Sequence, residues 1–84
     1  MIIEKQTKIG PVKVEIPVNF MDVMYQGNTK YIINRIVIVS DTVFAVNTYS
    51  GLWVKIKELE LIKEEKGTKY FKITKEDENY GKIW

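Results

Sequence analysis

The sequence predicts an all-β fold, on three observations. Between Lys30 and Ile56, three runs rich in β-branched and aromatic residues are separated by two short polar breaks, Ser40-Asp41 and Tyr49-Ser50-Gly51. That is the pattern of an antiparallel meander with tight turns. Upstream, Val12, Val14, Ile16 and Val18 alternate with Lys13, Glu15 and Pro17, a period of two that turns one side of an extended chain inward. Near the other end, Tyr70-Phe71-Lys72-Ile73 repeats the alternation, with Phe71 and Ile73 facing the core.

Taken in order, Ile2–Ile9 and the Val12–Val18 run form a hairpin, with the turn expected at Gly10-Pro11. Pro17 has no amide hydrogen for a ladder, so that strand lies at an edge or stops there. Asn19–Gln26 allows two readings. Asn19 could cap a short helix carrying Phe20, Val23 and Met24 on one face. Alternatively, Met21–Tyr25 is a strand that turns back through Gln26-Gly27-Asn28-Thr29 into Tyr31. The strand is preferred, because the segment is short for a helix and Gly-Asn is a turn pair. After the meander, Leu59 and Leu61 point the same way along a short strand. Lys63–Thr68 reads as a charged loop closed by Gly67, and Lys75–Asn79 as a solvated tip. The inward set is expected to be Ile36, Ile38, Phe44, Val46, Leu52, Val54, Ile56, Leu59 and Leu61, so Phe44→Ala should cost about 3–5 kcal/mol.

Over Gly27–Ile62 the chain resembles the SH3-like small-barrel superfamily. Gly51-Leu52-Trp53, the polar corner after it, and Glu58-Leu59-Glu60-Leu61-Ile62 are similar to that fold's fourth strand, short helical turn and fifth strand. The resemblance implies a partly open five-stranded barrel, here extended by the N-terminal hairpin and a C-terminal strand. One domain, 1–84, then divides into a hairpin over 1–19, a barrel body over 20–64 and a strand and tail over 65–84. The peptide-binding version of the fold carries an Ala-Leu-Tyr-Asp-Tyr type motif and a proline after the Gly-x-aromatic. This sequence has no such motif, and Val54 stands in the proline's place. The resemblance therefore carries over no site residues.

Composition narrows function by exclusion. There is no cysteine and no histidine, which removes thiolate chemistry, disulfides, the commonest general base and the commonest transition-metal ligand. The acid clusters Glu58/Glu60, Glu64/Glu65 and Glu76/Asp77/Glu78 read as solvated surface rather than as a carboxylate pair in a cleft. No catalytic residue, metal site or cofactor is expected. Thirteen basic and eleven acidic residues alternate to a net charge of +2, too weak a field to favour duplex nucleic acid. No apolar run approaches a membrane span, and a cytoplasmic setting fits the missing cysteines.

Binding remains. Trp53, Lys55 and Lys57 fall on the strand phase opposite Leu52, Val54 and Ile56, with Tyr49 close by. An outward indole beside cations suits either a protein hot spot or a base stacked over a phosphate. The bland alternative is that the hairpin or the tail covers Trp53. Arg35, the one arginine, shares a phase with Tyr31, Ile33, Val37 and Val39. It could clamp a phosphate or carboxylate, or lay its stem over the sheet. Ile83 and Trp84 are expected to dock on the body or on a second copy. The expected function is non-enzymatic binding: a small accessory protein, of the kind phages and mobile elements encode, that sequesters or blocks a protein partner. The alternative is a nucleic-acid or nucleotide-binding module using Trp53, Lys55, Lys57 and Arg35.

Overall fold

The structure, a computed structural model, describes residues 1–74; Ile83, Trp84 and the Glu76/Asp77/Glu78 cluster lie outside the described residues. The chain is all-β. Its strands are β1 (Ile2–Thr7), β2 (Gly10–Glu15), β3 (Val23–Gln26), β4 (Thr29–Ile32), β5 (Arg35–Val39), β6 (Thr42–Asn47) and β7 (Leu52–Lys55). A 3-10 turn, Ile56–Glu58, then leads into β8 (Leu59–Glu65) and β9 (Thr68–Ile73). They form three sheets, β1-β2, β4-β3-β9-β8 and β5-β6-β7, and none of them closes into a barrel. Among the described residues no helix is long and apolar enough to cross a membrane.

The sheets stay separate because the long run after Lys30 breaks at Ile33-Asn34. Ile33 donates its N–H to Asp22 O (2.8 Å) and accepts from Met21 N (2.8 Å), which leaves β4 hydrogen-bonded to β3. Asn34 N donates to Val46 O (3.0 Å), and its side chain bonds Thr48 twice, Nδ2 to Oγ1 and Thr48 N to Oδ1, each 2.9 Å. One β-rich run thus serves two sheets, with an asparagine at the corner.

The hairpins follow their turn residues. In β1-β2 the turn sits two residues earlier than Gly10-Pro11, on Lys8-Ile9, with Thr7 opposite Gly10. Thr7 Oγ1 accepts from Ile9 N (3.2 Å) and donates to Gly10 O (2.7 Å), a hydroxyl-built turn. Asn19–Gln26 holds a strand, β3, which turns into β4 at Gly27-Asn28 with Gly27 at φ 62°, as a first central turn position of the hairpin type requires. The charged loop expected at Lys63–Thr68 is instead more strand. β8 continues to Glu65, and Lys66-Gly67 alone, at φ 52° and 82°, makes the turn. Two successive positive φ values match the twist of paired strands, and so extend the pairing that charge alone suggested was loop.

The core gathers Ile16 and Val18 from the segment after β2, Met24 and Phe71 from the four-stranded sheet, Ala45 and Val54 from the meander, and Ile33 at the corner, with Ile3 of β1 packed partly against them. Beneath the loop Pro17–Asp22 lies Asp22, only 2% exposed. Its Oδ2 accepts from Asn19 N (2.8 Å) and its Oδ1 from Lys69 N (3.1 Å). Val23 pairs with Tyr70 in the parallel β3-β9 ladder, so the Asp22 carboxylate caps the start of that ladder. This clasp joins residues 47 apart in sequence, and the sequence reading passed over it.

The expected inward set needs correction. Val54 is buried in the core, and Ile36, Leu52, Ile56 and Leu59 pack partly against it. Val46 is buried too, but register puts it with Phe44 on the opposite face of the sheet. Ile38 is half-buried. Leu61 is 51% exposed, because β8 is an edge strand with an irregularity between Leu61 and Lys63. Phe44 is misplaced outright. A two-residue turn pairs Val39 with Thr42, hence Val37 with Phe44 and Ile36 with Ala45. Paired residues share a face, so Phe44 joins Val37 on the side opposite the core.

Candidate functional site

The β5-β6-β7 meander has one face on the core and one turned away. Register defines the outer face as two rows, Arg35–Val46–Trp53 and Val37–Phe44–Lys55, with Val39 opposite Thr42 at one end. An antiparallel sheet usually pairs an apolar inner face with a polar outer one. Here Val37, Val39, Phe44, Val46 and Trp53 make the outer face apolar as well. Val46 is only 2% exposed, and Arg35 and Trp53 flank it in register. The Trp53 ring meets Phe44 edge-on, centroids 5.4 Å apart at 62°, a favoured aromatic geometry. Trp53 still leaves 44% of its surface open.

The predicted site residues are therefore only partly brought together. Arg35, Trp53 and Lys55 share the outer face. Arg35 does not share a phase with Tyr31 and Ile33, because the corner at Ile33-Asn34 interrupts the strand. Lys57 lies in the 3-10 turn rather than in strand phase, at the end of β7 nearest Lys55. Tyr49 stands at the opposite end of the meander, 93% exposed on the β6-β7 turn. That turn is held rigidly. Asn47 Oδ1 accepts from Ser50 N (2.8 Å) and Ser50 Oγ (2.9 Å), while Asn47 Nδ2 donates to Ile32 O (2.8 Å).

A groove of about 340 Å³ opens beside Lys55, lined by Ile16, Asp41, Thr42, Val43, Lys55, Ile56 and Lys57. Asp41 is engaged by Lys5 from β1, Nζ to Oδ1 3.3 Å. Glu58 Oε1 accepts from Lys55 N (3.3 Å), capping the 3-10 turn. Among the described residues neither Lys55 nor Lys57 has an ion-pair partner.

A second aromatic surface escaped the sequence reading. On the outer side of the four-stranded sheet, Tyr25 and Tyr70 stack at 6.4 Å, and Lys63 Nζ lies 4.9 Å over the Tyr70 ring. Two of its cations are answered locally, Lys72 by Glu60 (3.6 Å) and Lys63 by Glu65 (3.7 Å). A third, Lys30, pairs with Tyr25 in register and has no ion-pair partner among the described residues. Nothing short of the β3-β9 pairing could have brought the two tyrosines together.

Because Phe44 is half-buried against one ring, Phe44→Ala should cost about 1–3 kcal/mol, from partial burial plus one aromatic pair. Met24→Ala, at a fully buried position, should cost about 2–5 kcal/mol. Urea unfolding of both variants checks the order; a larger loss at Phe44 would return it to the core.

Compared with known proteins, the chain matches no family model, no curated protein and no solved structure at a significant level.

Proposed function

We propose that this chain is a non-enzymatic binding protein that docks a partner protein on the outer face of its β5-β6-β7 meander. The observation that carries the reading is a sheet apolar on both sides. On that outer face Val39 and Trp53 stay exposed and Val37 and Phe44 half-buried, apolar surface that an interface would bury at its centre. Trp53 and Phe44 supply a rigid aromatic anchor of the type that dominates binding energy. Arg35 and Lys55 rim the face and no carboxylate shares its register rows, so the complementary surface is apolar at its centre and acidic at its edge. The one buried carboxylate among the described residues, Asp22, spends both oxygens on backbone amides, which supports binding over catalysis. Such a protein acts by occupancy, sequestering or blocking its partner, as accessory proteins of phages and mobile elements do. The order of meander, 3-10 turn and β8 supports reading the fold as an opened SH3-like barrel.

The test compares partner capture from host extract by the wild-type protein, Trp53→Ala and Lys72→Ala, with light scattering of each pure protein. The expected result is a stoichiometric partner retained by wild type and Lys72→Ala and lost by Trp53→Ala. Equal capture by all three would remove the face from function. A homodimer dispersed by Trp53→Ala would make a second copy the occupant and overturn the reading.

A further inference from the structure

We infer that the groove beside Lys55 binds a small phosphate ester with an apolar body, of about mononucleotide size. Its volume of about 340 Å³ lies at the lower end of small-molecule sites, roughly 300–1,000 Å³. It has the two-part lining such a ligand needs. Ile16, Val43 and Ile56 offer an apolar floor, while Lys55, Lys57 and the Thr42 hydroxyl offer donors.

The local charge favours a dianion. Lys55 and Lys57 face the groove without an ion-pair partner among the described residues. The single lining carboxylate, Asp41, is already engaged by Lys5 at 3.3 Å. Glu58, on the same turn, aims its carboxylate back at the Lys55 amide (3.3 Å). Counting Lys5, three cations face Asp41 and Glu58, and two of the three have no acid to satisfy them.

Three segments build the groove: Ile16 beyond β2, the β5-β6 turn with the start of β6, and the end of β7 with the 3-10 turn. Two of these are pinned independently of any ligand. Ile16 N donates to Met1 O (2.8 Å), and Thr74 N and Oγ1 both donate to Glu58 O, 2.7 and 2.9 Å. Those two walls are therefore preformed, which spares a ligand the cost of ordering them. The groove is separate from the Trp53–Phe44 anchor: Lys55 borders both, but Trp53 does not line the groove. The two readings can therefore fail separately.

The test is a titration of isotope-labelled full-length protein with AMP, with adenosine and inorganic phosphate as separate arms, followed by amide chemical shifts. AMP is expected to shift Thr42, Val43, Ile56 and Lys57. Lys55→Gln and Lys57→Gln should each weaken it by about 3- to 10-fold, the range of one charge-assisted hydrogen bond. Asp41→Asn, which removes the lining carboxylate, should tighten AMP binding by about 2- to 5-fold. Trp53→Ala should leave it unchanged. No shift at the groove up to several millimolar AMP, or weaker AMP binding by Asp41→Asn, overturns the site. Inorganic phosphate or adenosine binding as tightly as AMP overturns the ligand class, because one half of the lining would then be idle.

Discussion

Asp22→Ala is expected to be the most damaging single substitution in the described structure, lowering stability by about 3–5 kcal/mol. Two part-buried backbone donors, Asn19 N and Lys69 N, end on the Asp22 carboxylate, which is itself buried. Each unsatisfied buried donor costs about 1–3 kcal/mol. The damage also spreads. The same residue's main chain accepts from Ile33 N and donates to Asn19 O (3.2 Å), so one position anchors the loop before β3, the end of β4 and the start of β9. Lys69 Nζ adds a bond to Pro17 O (3.2 Å) that depends on the same loop path. Met21, next door, sits at φ 78°, a left-handed conformation that costs a non-glycine residue of order 1 kcal/mol or more. Without the clasp nothing holds that strain in place. In a domain of this size 1 kcal/mol moves the melting temperature by about 4–8 °C, so Asp22→Ala should melt more than about 12 °C below wild type. Asp22→Asn keeps one acceptor but aims an NH₂ at a backbone N–H, and should fall between the two. A loss below about 1 kcal/mol in both variants would mean that water replaces the carboxylate and the clasp is not structural.

Legibility in the sequence followed the range of the interactions. The tight turns at Ser40-Asp41 and Gly27-Asn28 and the alternation around Val14 and Ile16 are local, and each strand they implied is present. Phe44 failed for a different reason, since the signal was there. Across a two-residue turn the sum of paired numbers is odd, so even positions on one strand share a face with odd positions on the next. Ile36 and Ile38 therefore belong with Val43 and Ala45, and Phe44 belongs with Val37. The same arithmetic across the four-residue turn at Thr48–Gly51 puts Phe44 with Lys55, and Val46 with Trp53. The strand phase of Trp53 and Lys55, opposite to Val54, is local to their own strand, and the register has the same phase. By contrast, the parallel β3-β9 pairing depends on contacts some 47 residues apart, and no local propensity encodes it. Asp22, the Tyr25–Tyr70 stack and the open sheets all depend on that pairing. The groove was half visible, as Lys55 and Lys57, but Asp41 and Thr42 reach it only because β6 lies against the 3-10 turn.

On the binding side the largest expected effect belongs to Trp53→Ala, which should weaken the partner complex by about 30-fold or more. Central, well-packed tryptophans cost at least about 2 kcal/mol when truncated at interfaces. Trp53 has the attributes of one: 44% exposed, edge-on to Phe44, and beside a Val46 that is already dry. Phe44→Ala should weaken binding by a smaller factor, because it removes the support of the indole and leaves the indole itself. Arg35→Ala and Lys55→Ala should act mainly on the association rate and its salt dependence, as rim charges do. Salt then separates the partner classes. A single-stranded nucleic acid neutralising Arg35, Lys55 and Lys57 would lose affinity with a log–log salt slope of about −2. A protein partner held at its apolar centre should show a much shallower slope, since only the exposed rim is screened. Isothermal titration at two salt concentrations, on wild type and Trp53→Ala, reads both quantities at once. A shallow slope with a large Trp53 effect is the expected pair of results. A steep slope together with sub-micromolar affinity for random single strands would assign the face to nucleic acid instead, with Trp53 as a stacking platform.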